Sequence, residues 1–144
     1  MVYRWVMVMM PSVLLSAALA FTGVPLNINP PQCSNEVLLG EYDPKAKQMS
    51  VCTDNIKRHG YNINTVVRHE AIHAIQDNLG MEGNETLLGP KLITFIAREF
   101  FTPAEAFTVI YNYEHDEPEF EARIFQNTPD VLVAYALIIS SLRS

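Results

Sequence analysis

His69, Glu70 and His73 form the string HEAIH. On an α-helix, residues i and i+4 share one face, so the two imidazoles can hold one ion from the same side while Glu70 reaches a water on that ion. Two neutral His nitrogens on a rigid helix, a third protein ligand and an open fourth position are what a hydrolytic Zn2+ site requires. A glutamate beside them serves as general base, catalytic through a water whose proton it takes. The pattern fixes only three positions. A helix carrying two solvated or core-satisfied histidines shares it, so the flanking sequence has to decide.

The flanks predict a helix. Thr65 is suited to the N-cap, Val66 to Leu79 contain neither Gly nor Pro, and Gly80 stands where a C-cap glycine belongs. At about 100° per residue, Val67, Ala71, Ile72, Ala74, Ile75 and Leu79 cover the side opposite His69, Glu70 and His73. Such a helix is expected at the centre of the fold, forming the floor of a cleft whose dry surroundings strengthen a metal's field.

A third ligand has to come from elsewhere. Cys33 and Cys52 precede the helix, whereas His115, Glu117, Glu119 and Glu121 crowd the downstream stretch EHDEPEFEAR. The third His of the metzincin pattern HExxHxxGxxH would stand at position 79, which is Leu79, and that class is excluded. No EGCLS-like Cys ligand supports a peptide deformylase. On a helix Glu119 and Glu121 project about 200° apart, so at most one of them faces the ion, and wheel geometry alone does not choose. Ala122 shares the Glu119 face and would allow close approach to the HEAIH helix; Glu121 shares its side with Phe125.

The run Glu119-Phe120-Glu121-Ala122-Arg123-Ile124-Phe125 resembles the ExEADxF stretch of gluzincin metallopeptidases, of the membrane-peptidase and bacterial minimal-gluzincin kind. In that family the first Glu binds zinc, so the resemblance implies Glu119 as the third metal ligand beside His69 and His73. It covers HEAIH, EFEAR and the strand-then-helix order, about half of the chain after residue 20 in architecture and few residues in identity. The family's Asp four residues after the ligand Glu is replaced by Arg123. Support for a zinc-binding His must then come from Asp77, Asp116 or a backbone oxygen, with Asp77 preferred because it lies on the His73 face. His115, Tyr111 and Tyr113 are candidate donors to an oxyanion.

The elements that must position these residues follow from composition and punctuation. Residues 1–20 read as a signal peptide, with Arg4 in a positive n-region, an apolar run from Trp5 to Leu15 and an Ala18-Leu19-Ala20 cleavage site. Export to an extracellular, periplasmic or lumenal compartment is expected. An N-terminal membrane anchor is the alternative, although the run is shorter than the ~20 residues of a spanning helix and Pro11 interrupts it.

The formal net charge is −6, with 10 basic and 16 acidic residues, and residues 1–20 hold one of the basic ones and none of the acidic ones. Acidity without a Lys/Arg cluster argues against nucleic acid or an anionic membrane as partner, and stable membrane insertion is not expected after cleavage. A protein or peptide substrate fits instead. Residues 21–144 suit a single zincin-like domain.

Within that domain, Glu36–Tyr42 and Gln48–Cys52 predict a hairpin around Asp43-Pro44-Lys45. Pairing Tyr42 with Gln48 sets Cys52 opposite Leu38. An even cysteine count in an exported chain favours a Cys33–Cys52 disulfide, provided the chain before Glu36 folds back, as Pro30, Pro31, Ser34 and Asn35 allow. Residues 21–32 read as a Pro/Asn-rich approach segment. Further helices are expected over about 86–100, 102–113, 118–126 and 128–142, three of them with Pro at the first turn.

The expectation is an α+β fold: a short antiparallel hairpin followed by a helical body with the HExxH helix central. Its function would be zinc-dependent peptide-bond hydrolysis. A non-catalytic zinc-binding or regulatory domain on the same fold is the alternative, and Arg123 favours it.

Overall fold

The computed structural model describes residues 11–80, 87, 99, 102–105 and 117–144. Of the helices expected over 86–100 and 102–113, residues 99 and 103–105 are helical. The rest of that stretch, with Tyr111, Tyr113, His115 and Asp116, lies outside the described residues, as do residues 1–10.

The described elements run α1 (Val13–Phe21), β1 (Leu26–Ile28), a 3-10 turn (Pro31–Ser34), β2 (Gly40–Asp43), β3 (Gln48–Val51), α2 (Thr53–Arg58), α3 (Ile63–Asn78), α4 (Glu117–Phe125) and α5 (Asp130–Arg143). The fold is α+β.

The hairpin forms where its turn chemistry places it. Asp43 Oδ1 accepts the Lys45 and Ala46 N–H groups at 2.9 and 3.2 Å, an Asx turn, and Lys47 closes the loop at φ 54°. Its register differs by one residue from the sequence expectation: Tyr42 faces Met49 and Asp43 faces Gln48. The Cys52 N–H therefore meets the Leu39 carbonyl, at 2.8 Å. Burial explains the shift. Directly opposed residues share a face, Tyr42 and Met49 are both buried, and a slip by one would turn Gln48 into the core.

Residues 21–32 are more than an approach segment. Leu26–Ile28 pairs in parallel with β3, giving a mixed sheet of order β1-β3-β2 with β3 central and β2 at one edge. The chain then folds back through the Pro31–Ser34 turn, and Cys33 and Cys52 form a disulfide with Cα atoms 5.4 Å apart. The buried Asn55 amide fastens the same loop by donating to the carbonyls of Cys33, Asn35 and Leu38 at 2.9–3.0 Å.

α3 is the central helix, packed against α4, α5 and β2. It begins at Ile63, earlier than expected, because Asn62 is the N-cap: its extended backbone lets the side chain accept the Asn64 N–H. Thr65 lies inside the first turn instead, where its hydroxyl meets Arg68 Nη2 at 3.2 Å. At the other end Gly80 takes φ 71°, as a glycine after the C-cap should. Val67, Ala71, Ile72, Ala74 and Ile75 are buried, whereas Leu79, past the last helical residue, is 40% exposed.

β2 approaches α3 closely because position 40 lacks a side chain. A Cβ there would lie 2.8 Å from Val66 Cγ1 and 3.3 Å from Glu70 Cγ, so only glycine permits this spacing.

α1 packs on α5 and places Leu15, Ala18 and Leu19 in the core, and the Ser12 N–H donates to Asn64 Oδ1 at 2.7 Å. α1 thus occupies the core with residues read from sequence as part of a signal peptide. No described helix is long and apolar enough to cross a membrane.

Candidate metal centre

His69 and His73, one turn apart on α3, turn their imidazoles toward the same point, with ring centroids 5.1 Å apart and planes at 73°. α4 crosses α3 here, and Ala122, fully buried, lets it approach. Glu119 then meets both rings: Oε1 contacts His69 Nε2, and Oε2 lies 2.7 Å from His73 Nε2. One ligand atom from each of the three residues falls within 4.8 Å of the others. The group can hold a metal ion. Its side chains are 14–25% exposed, buried enough for a strong field and open enough for a ligand from solution.

The outer nitrogens show how the rings are oriented. His73 Nδ1 lies 2.9 Å from Gln76 Oε1, and His69 Nδ1 lies 3.1 Å from Gln126 Oε1. An amide oxygen only accepts, so each Nδ1 facing one carries the proton and each Nε2 presents its lone pair to Glu119. Two lone pairs and a carboxylate in contact need positive charge between them, from protons or from a metal. The donor set of two imidazole nitrogens and one carboxylate is one that binds divalent transition metals.

Without a metal, protons supply that charge. Burial alone would lower the His73 pKa, but hydrogen bonding and attraction to Glu119 outweigh it and raise the value to about 9. Burial pushes Glu119 upward, and its bonds to His69 and His73 more than reverse this, holding its carboxyl well below the usual range.

Neither glutamine was singled out from the sequence. Asp77, the sequence-based choice for His73, is turned the other way, where it accepts from the Tyr42 hydroxyl at 2.6 Å and pairs with Lys47. Burial and Asp77 together push the Tyr42 hydroxyl pKa up. Gln76 carried a weak signal, since it lies three residues after His73 and thus on the same face. Gln126 carried none. Its backbone carbonyl accepts from Arg68 Nε at 2.6 Å while Arg68 Nη1 binds Asp130 Oδ1, also at 2.6 Å, a clamp between α3 and the α4–α5 junction. Arg123, where the gluzincin pattern has Asp, is exposed, and Gln126 stands beside His69 instead.

Glu70 is 8% exposed and sits between the two histidines in sequence but faces β2. Its Oε2 accepts the Tyr42 backbone N–H at 2.9 Å. Burial raises its pKa, opposed by His69 and His73 and assisted by Glu119. Glu121, the rival of Glu119, is fully buried away from the rings and accepts from Gln76 and from the Leu87 N–H.

No family model, curated protein or solved structure matches this chain.

Proposed function

We propose that the protein is an exported zinc-dependent metallopeptidase of gluzincin type, with a zincin-like arrangement of sheet edge, HExxH helix and ligand helix. The observation that carries this reading is the convergence of His69 Nε2, His73 Nε2 and the Glu119 carboxylate beside the buried Glu70. His69, His73 and Glu119 would hold the ion. Zinc supplies Lewis acidity there, polarising a carbonyl and making water more acidic.

Glu70 is the general base. With Oε2 held by the Tyr42 N–H, Oε1 is the oxygen left to take a proton from the attacking water and return it to the leaving amine. A carboxylate whose pKa is raised by burial is a stronger base at neutral pH than a solvated one.

β2 is the strand that receives substrate. It is an edge of the described sheet and lies against Glu70, so an extended peptide adding alongside it brings a backbone carbonyl toward the three ligands. Glu70 itself occupies the outward N–H of Tyr42, which sets how far such a peptide can pair. Hydrolysis of an unstructured protein by the zinc-loaded full chain, its loss on chelation and its return with zinc test the proposal. Activity indifferent to chelation contradicts it.

A further inference from the structure

The amide of Gln76 is held in one orientation. Gln76 is 3% exposed, and its Nε2 lies 3.1 Å from the Pro118 carbonyl and 2.9 Å from Glu121 Oε1. Both are acceptors: a carbonyl has no proton to give, and Glu121 Oε1 already accepts the Leu87 N–H at 2.9 Å. The NH2 end of Gln76 must face them, which leaves Oε1 toward His73 Nδ1.

A flipped amide would reverse everything. Its oxygen would meet the Pro118 carbonyl and the Glu121 carboxylate, two buried contacts between acceptors. Its NH2 would face His73 Nδ1, the ring proton would move to Nε2, and the ring would have no lone pair for an ion. The Pro118 carbonyl and, more strongly because of its charge, the Glu121 carboxylate oppose the flip.

We propose that Gln76, locked by Glu121, is a positioning residue that holds His73 as the Nδ1–H tautomer with Nε2 free to bind metal. The inference rests on the reading of His73 as a metal ligand. It explains why a fully buried carboxylate stands two residues from Glu119 without facing the ion. Glu121 acts on the site through Gln76, and a neutral amide takes the place that a carboxylate or carbonyl usually fills beside a metal-binding His.

Imidazole 15N shifts of His73, read by long-range proton–nitrogen correlation in the 15N-histidine-labelled full chain, report the tautomer directly. Spectra are taken with zinc, which displaces the Nε2 proton that Glu119 holds in the metal-free ring. Zinc affinity is measured by chelator competition for the native chain, Gln76→Ala, Glu121→Gln and the exposed control Glu41→Gln. The zinc-loaded native chain should show a protonated Nδ1 and a metal-bound Nε2. Glu121→Gln, whose amide can donate to a flipped Gln76, should bind zinc about 10–100-fold more weakly, as should Gln76→Ala, with Glu41→Gln unchanged.

A protonated Nε2 in the zinc-loaded native chain overturns the proposal, and this result needs no variant to fold. So does unchanged affinity in both Gln76→Ala and Glu121→Gln. If the native chain binds no zinc, the metallopeptidase reading fails and the role of Gln76, which rests on it, fails with it. If it binds zinc through His73 Nδ1, the role of Gln76 fails while the metal reading stands.

Discussion

The Tyr42 backbone N–H donates to Glu70 Oε2 at 2.9 Å, joining an edge strand to the carboxylate that lies in sequence between His69 and His73. The bond fixes one oxygen of Glu70 and sets the distance between the site and the strand. Gly40 makes it possible, since a Cβ there would meet both Val66 and Glu70.

Gly40→Ala should therefore push β2 away from α3. Overpacking of this kind destabilises by about 1–3 kcal/mol, and here it also loosens Glu70, so activity should fall further than stability alone explains. Denaturant unfolding and hydrolysis rates on the same preparation check both parts.

The proposed metal ligands are tested one by one. The native chain should hold about one zinc, and His73→Ala or Glu119→Ala should lose it on dialysis, because two remaining ligands do not retain the ion. Elemental analysis after dialysis decides; full zinc in either variant removes that residue from the ligand set.

In metal-free protein the same charges produce a pH signature. The folded pKa of His73, about 9, lies above its ordinary 6.5, so its stabilising contribution is complete below 6.5 and is lost as pH rises through about 9. Glu119 is depressed, so its contribution is present above its ordinary 4.5 and disappears as pH falls. Their joint contribution should thus peak between about pH 4.5 and 6.5. Because protons compete with metal for His73, zinc affinity should keep rising up to about pH 9. Unfolding and zinc titrations across pH measure both trends.

Residues 12–20 supply core that a shortened chain would lack. A chain beginning at Phe21 loses the buried Leu15 and Leu19, each worth about 1.5–3 kcal/mol of burial, and uncovers the α5 face beneath them. Its unfolding midpoint in urea should lie well below that of the full chain. Equal midpoints would show that α1 adds nothing to stability.

Much of the site was legible in sequence because helical spacing is local. HEAIH placed His69 and His73 on one face, and Gly80 marked the end of their helix. Glu119 needed the resemblance of EFEAR to gluzincins, since helix geometry left Glu121 equally open. What could not be read depends on tertiary packing. The one-residue register shift follows from Tyr42 and Met49 sharing the core. The parallel strand Leu26–Ile28 has no periodicity of its own and forms only because β3 offers an edge. Gln76 and Gln126 became visible once α4 crossed α3, and Asp77 was taken up by Tyr42 and Lys47 from a hairpin that lies far away in sequence.

The central claim is that Glu70 moves a proton at a metal held by its neighbours, and Glu70→Gln tests it most directly. The substituted amide can still accept the Tyr42 N–H through its oxygen, so fold and zinc content should be preserved. Hydrolysis of an unstructured protein should fall by about two to four orders of magnitude, the range a general base contributes. Native activity in a folded, zinc-replete Glu70→Gln protein would contradict the account.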